Sequence, residues 1–185
     1  MTKKIAQLGL FLALALILAY VESLIPLSFG IPGIKLGLPN LIVVMLLCQR
    51  TNARNGTAAD DGHCFGASEA ILVNILRIVL SGFLFSNLYT VLYSLAGAAF
   101  SIVAMMFGRR LRCFSVVGIS VLGGVFHNIG QILVAMLVVE TVYVGYYVPF
   151  LIAAGTVTGA MLGIVAMELM PYLTRLSEHG QNIHA

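Results

Sequence analysis

The apolar run from Ser115 to Val139 carries His127 at its midpoint, within Gly123-Gly-Val-Phe-His-Asn-Ile-Gly-Gln131. At 1.5 Å per residue a helix of this length crosses a ~30 Å hydrocarbon core. Histidine, asparagine and glutamine at the centre of such a helix are costly to leave against lipid. They therefore face a cavity or a protein partner. A second run, Gly66 to Leu88, places Asn74 and Arg77 near its own centre. The two polar centres together call for a helical bundle with a shared interior.

Composition agrees. Of 185 residues, 60% are hydrophobic and 9% charged, with mean hydropathy +1.02. Soluble domains carry about 25% charged residues, so this is a membrane chain of one domain. Lys3 and Lys4 precede Ile5–Val21 in the manner of a signal peptide. The later apolar runs, and the want of a cleavage site before a soluble domain, make it an uncleaved first span. Three cysteines without framework spacing do not suggest structural disulfides.

Span one covers about Ile5–Leu24 and contains Ala15-Leu-Ile-Leu-Ala19, a small-x-x-x-small pattern that admits a close helix neighbour. Glu22 near its end reads as an interfacial carboxylate reaching water. Pro26 to Asn40 is an apolar loop with three prolines and three glycines, a cap or re-entrant segment with Lys35 as its one charge. Leu38–Cys48 is apolar but short, about 16 Å of helix. Either it continues past Gln49 or protein shields it. Arg50–Cys64 has loop composition. Spans three to six cover about Gly66–Ser86, Leu88–Phe107, Ser115–Val139 and Val148–Met170, with a tight turn near Asn87. Tyr143, Tyr146 and Tyr147 suit an interfacial belt. Gly155, Gly159 and Gly163 form a doubled G-x-x-x-G ridge, read as close helix packing. Pro171 ends the last span, leaving 1–170 as one transmembrane domain and 171–185 as a polar cytoplasmic tail.

Six spans put both termini on one side. That side holds Lys3, Lys4, Arg50, Arg54, Arg109, Arg110, Arg112 and Arg175, and the other only Lys35. The positive-inside rule then makes both termini cytoplasmic.

The chemistry lies inside. Asn74, Arg77 and Ser81 share one helical face, and His127 and Gln131 are i, i+4 neighbours with Asn128 and Gly124 beside them. With no carboxylate on either central stretch, Arg77 calls for a ligand anion or backbone carbonyls. Ligand contact and interhelical hydrogen bonding weigh evenly for this cluster. A proton relay through His127 ranks below both, since no acid shares its run. The two aspartates, Asp60 and Asp61, are adjacent in a loop, so the D-D-x-x-D pattern of a trans-prenyl-diphosphate synthase is missing. His63-Cys64 alone is not a metal ligand set, and the sequence holds no P-loop. No catalytic residue, cofactor or metal site is expected, and no nucleic-acid partner.

The segments Pro32-Gly-Ile-Lys-Leu-Gly-Leu-Pro-Asn40, Leu72-Val-Asn-Ile-Leu-Arg-Ile-Val-Leu-Ser-Gly82 and Gly123–Gln131 resemble the bacterial family of heptaprenyl diphosphate synthase component I, also called the Gx transporter family. The resemblance runs from about Lys3 to Leu169, and Arg50–Cys64 departs from the family pattern. That family is similar to the S components of energy-coupling factor (ECF) importers, six-helix proteins that bind a small molecule and pair with a transmembrane subunit and ATPases. The resemblance implies an all-α bundle of six transmembrane helices with a short or irregular second helix. It also implies that Ala15 and Ala19 contact a partner helix. The expected function is a substrate-binding subunit of an ECF-type importer in the bacterial cytoplasmic membrane. Lys35 and Asn40 would stand at its mouth, with Asn74, Arg77, His127, Asn128 and Gln131 inside. The alternative is a non-catalytic accessory subunit of polyprenyl diphosphate or isoprenoid quinone biosynthesis.

Overall fold

The computed structural model describes residues 2–24, 37–52, 66–111 and 113–182. Lys35, most of the apolar capping loop, and the loop holding Asp60, Asp61, His63 and Cys64 lie outside the described residues. The described chain forms α1 (Thr2–Leu24), α2 (Asn40–Asn52), α3 (Ala67–Phe85), α4 (Leu88–Leu111), α5 (Val116–Val139), a 3₁₀ turn (Val142–Tyr147) and α6 (Val148–Asn182). Five of these helices are long and apolar enough to cross a membrane. The protein is an all-α bundle, as the hydropathy pattern predicts.

Local signals fix the ends. Glu69 Oε2 reaches back to accept from Gly66 N at 2.8 Å, which opens α3. Asn87 Oδ1 accepts from Thr90 N at 2.9 Å and caps α4 one residue after α3 has ended at Ser86. The turn predicted near Asn87 is that cap. Ser115 Oγ accepts from Gly118 N at 3.2 Å at the start of α5. Glu140 closes α5 in the left-handed region, φ 52°. Pro171 does not end α6, contrary to the sequence expectation. A proline removes one backbone donor from the ladder, yet the following residues resume the helix to Asn182. What ends near Met170 is the apolar composition.

Helix directions follow from two contacts. Lys4 Nζ pairs with Glu69 Oε1 at 2.5 Å, so α1 and α3 start together. Tyr20 packs edge-on against Phe85, ring centroids 5.6 Å apart, so they also finish together. The chain must return between them, and α2 carries it. Its 13 residues span about 20 Å, less than a bilayer core. It is apolar on every side, and every residue from Leu41 to Cys48 is buried. Both readings of this segment hold in part: the helix continues past Gln49 to Asn52, and surrounding protein buries Leu41–Cys48. α4, α5 and α6 then alternate, which brings the start of α1 and the end of α6 to the same end of the bundle.

The polarity is inverted relative to a soluble protein. Phe83, Leu88, Leu137 and Val157 stand exposed, while Asn74, Arg77, Ser101, Ser120, His127, Asn128 and Gln131 are buried. α5 is the central pillar because glycines let its neighbours reach its backbone. A Cβ on Gly155, Gly159 or Gly163 of α6 would come within 2.7–2.9 Å of atoms of α5, mostly backbone. The doubled G-x-x-x-G ridge is thus a packing seam. On the opposite flank a Cβ on Gly130 would meet Ala96 O of α4 at 2.7 Å.

Candidate functional site

The site gathers around a turn and an imidazole. Gly37 takes φ +80°, which a side chain would resist. Its carbonyl accepts from Asn40 N at 2.8 Å and starts α2. Its own N–H donates to Glu22 Oε1 at 2.5 Å. The His127 ring stands against this turn: a Cβ on Gly37 would lie 3.3 Å from His127 Cδ2 and 3.4 Å from Asn40 Nδ2. The ring's other edge meets α4, where a Cβ on Gly97 would fall 2.8 Å from both Cε1 and Nδ1. The imidazole is therefore wedged between two positions that carry no side chain. Asn40 Nδ2 also reaches Ser101 Oγ of α4, at 3.4 Å.

Arg77 enters from α3. Its Nη2 and Nε donate to Asn74 Oδ1 at 2.8 and 3.2 Å, one turn back on the same helix. Two of five N–H donors are thereby used. The carboxylate whose charge reaches the guanidinium is that of Glu22, and the guanidinium in turn acts electrostatically on His127. Four helices thus meet by contact, Glu22 from α1, Asn40 from α2, Gly97 and Ser101 from α4 and His127 from α5, and Arg77 of α3 acts on them through its charge. Ser81, on the same face as Arg77, spends its hydroxyl on Ile78 O at 3.1 Å.

Several buried polar atoms here make no hydrogen bond of good geometry. They are Asn74 Nδ2, both amide atoms of Gln131, and His127 Nδ1, which lies against the Gly97 backbone. Asn74, Gln131 and His127 are 1%, 0% and 3% exposed. Each unmet buried group costs on the order of 1–3 kcal/mol unless something else supplies a bond. Gln131 lies one turn beyond His127 on the same face of α5. Asn128 does not join this group, although its Oδ1 is also unpaired. Its Nδ2 donates to Leu151 O of α6 at 2.8 Å, across the glycine seam.

One expectation changes. Glu22 is not an interfacial carboxylate but a buried one, 6% exposed and bonded to Gly37. It follows Phe11, Ala15 and Ala19 on the inward stripe of α1, and that i, i+4, i+8, i+11 spacing was the available signal. Ala15 and Ala19 are each 2% exposed, and Ala15 packs in the cluster with Phe11 and the apolar residues of α2. What α1 presents outward instead is Ile5, Leu10, Leu14, Ile17 and Val21. Gly37 and Gly97 gave no sequence signal, since they act only by leaving room for a ring from another helix. Among the described residues no group of three or more His, Cys, Asp or Glu side chains could hold a metal ion.

Comparison with known proteins gives one family. Residues 11–56 and 62–169 match the model of heptaprenyl diphosphate synthase component I. The interruption falls in the polar loop whose composition departs from the family pattern. No curated protein and no solved structure matches. With most of its length matched and a helical membrane bundle as its fold, this chain belongs to the heptaprenyl diphosphate synthase component I family.

Proposed function

We propose that this chain is a non-catalytic membrane subunit that holds a small polar ligand inside its bundle. We place it as the accessory component of polyprenyl (heptaprenyl) diphosphate or isoprenoid quinone biosynthesis. One observation carries the binding role: the buried amides of Asn74 and Gln131 keep unmet hydrogen-bonding atoms, and Asn74 holds a buried guanidinium with donors to spare. Interhelical bonding alone would leave fewer such atoms unpaired, because native interiors satisfy nearly all of them. Asn40 and Lys35 belong at the mouth in this reading, and Asn128 braces α5 against α6. The family match supports a synthase partner. Asp60 and Asp61 are the only aspartates in the chain, so diphosphate–magnesium chemistry falls to that partner. Reconstitution tests this. A soluble prenyl-diphosphate synthase subunit from the same source should gain activity when the chain is added in lipid. If it neither binds nor gains activity, the accessory role fails.

A second reading, the substrate-binding subunit of an ECF-type importer, is favoured by five span-length helices and a short second helix around buried polar residues. In both readings the lysine- and arginine-rich end faces the cytoplasm of a bacterial inner membrane, with both termini there. Co-purification of ATPase subunits and a transmembrane partner would select the importer. Their absence from a gently solubilised complex counts against it.

A further inference from the structure

The turn before α2 does not hold itself. Gly37 is the one glycine at positive φ among the described residues, at +80°. Its carbonyl accepts from Asn40 N at 2.8 Å, and Leu41 N and Ile42 N follow onto Leu38 O and Pro39 O at 3.1 Å each. These bonds leave the Gly37 N–H unused. Gly37, Pro39 and Asn40 are buried, so that donor would be costly to leave unmet. Glu22 Oε1 takes it at 2.5 Å, from the far end of α1. Through that bond α1 fixes the start of α2, and the effect reaches the site. Asn40 is the first residue of α2, and its Nδ2 stands 3.4 Å from Ser101 Oγ of α4. Beside the turn lies the His127 ring, where a Cβ on Gly37 would fall 3.3 Å from Cδ2 and 3.5 Å from Nε2. The carboxylate has two separate properties here. Its charge acts on the Arg77 guanidinium, and a charge falls off gently with distance. Its oxygen acts on the Gly37 N–H, and a hydrogen bond weakens steeply once its geometry is lost.

We infer that Glu22 is a positioning residue of the site: its side-chain oxygen, by reach rather than by charge, holds the Gly37 turn, and through the turn Asn40 and the ring of His127. The first helix thereby shapes the site from behind, through the backbone of the second. That this serves ligand capture rests on the binding role proposed above; the chain of contacts from Glu22 to His127 does not.

Two conservative substitutions separate reach from charge. Glu22→Gln keeps an oxygen at the same distance and gives up the charge. Glu22→Asp keeps the charge and draws the oxygen back by one carbon–carbon bond. Hydrogen–deuterium exchange is followed by mass spectrometry on the full chain in mild detergent, with no ligand added. Residues 37–42 should exchange about tenfold or more faster in Glu22→Asp, and within a few-fold of the unsubstituted protein in Glu22→Gln, whose neutral acceptor bonds more weakly. The α5–α6 seam over residues 155–163 should keep its protection in both. Isotope-labelled histidine then reports on the ring by NMR. The His127 signal, identified among four histidines by its loss in His127→Gln, should move further in Glu22→Asp than in Glu22→Gln. Faster exchange of residues 37–42 in Glu22→Gln than in Glu22→Asp would make charge the positioning agent and overturn the inference. So would unchanged exchange in Glu22→Asp, equal acceleration in both variants, or acceleration spread evenly over the chain, which marks a general loss of stability. An unmoved His127 signal in Glu22→Asp overturns the link to the ring. None of these outcomes involves a bound molecule, so the binding role stands or falls separately, on whether the purified chain retains one.

Discussion

Gly97→Ala probes whether the imidazole is held where the site needs it. In an isolated helix the change is favourable, since alanine exceeds glycine by about 1 kcal/mol in helix propensity. Here the new methyl would sit 2.8 Å from Cε1 and Nδ1 of His127 and 3.0 Å from His127 O. The ring cannot swing away freely, because its opposite edge faces the Gly37 turn. Overpacking of this kind costs about 1–3 kcal/mol, so the net effect is a loss of roughly 0–2 kcal/mol, opposite in sign to the propensity. His127→Ala removes most of the clash but not the carbonyl. The double variant should therefore relieve at least half of the overpacking cost, a coupling of about 0.5 kcal/mol or more. Gly9→Ala is the control, because nothing lies within 4 Å of its Cβ position, and it should be neutral or stabilising. Thermal or steric-trapping unfolding in detergent reads all four variants. If Gly97→Ala matches Gly9→Ala, or the cycle shows no coupling, the ring does not occupy this slot and the site as described is wrong.

Three further outcomes follow from other contacts. Gly159→Ala puts a methyl 2.8 Å from Ser120 O and Val121 Cα, both backbone, and should destabilise by about 1–3 kcal/mol; parity with Gly9→Ala in the same assay would break the α5–α6 seam. Asn128→Ala gives up the bond to Leu151 O and should cost on the order of 1 kcal/mol while leaving ligand retention by mass spectrometry unchanged. Loss of ligand with intact folding would move Asn128 into the site. Lys4→Met removes the partly exposed pair with Glu69 and should cost less than about 1 kcal/mol, a difference that shrinks in high salt; a larger, salt-independent loss would contradict a surface pair.

Much of this was legible because lipid inverts the usual sorting. A soluble chain hides its apolar residues, so a lone Arg77 or His127 would say little. In a membrane chain each apolar run is a helix, and the polar residue inside it marks the buried face. Five long helices and the inward direction of Asn74, Arg77, His127 and Gln131 follow from that rule. It fails where polarity is not the signal. Glu22 lies near a helix end, where water is within reach, and only its register with Phe11, Ala15 and Ala19 turns it inward. Asn128 lies one residue from His127, a rotation of about 100°, enough to give it to α6 instead. Gly37 and Gly97 contribute empty space, and which ring fills it depends on tertiary packing between distant segments. The Ala15–Ala19 pattern states that a close neighbour exists but not whether it belongs to the same chain.

The buried carboxylate of Glu22 bears on how Arg77 is stabilised, and a charge-neutralising series decides it. Arg77→Gln leaves the Glu22 carboxylate in the bundle without that guanidinium's field. Glu22→Gln leaves the guanidinium without the carboxylate's, yet the amide oxygen introduced there can still accept from Gly37 N. At an effective dielectric of ~20 two opposite unit charges within about 15 Å attract by on the order of 1 kcal/mol or more. Removing one member of a buried pair exposes the other's desolvation penalty, whereas removing both can be nearly neutral. Each single change should thus destabilise by about 1–3 kcal/mol, and Glu22→Gln with Arg77→Gln should cost less than the two singles summed. Unfolding in detergent at one salt concentration measures it. Strict additivity would mean that the two charges do not share an interior, and the polar centre would then be two separate sites.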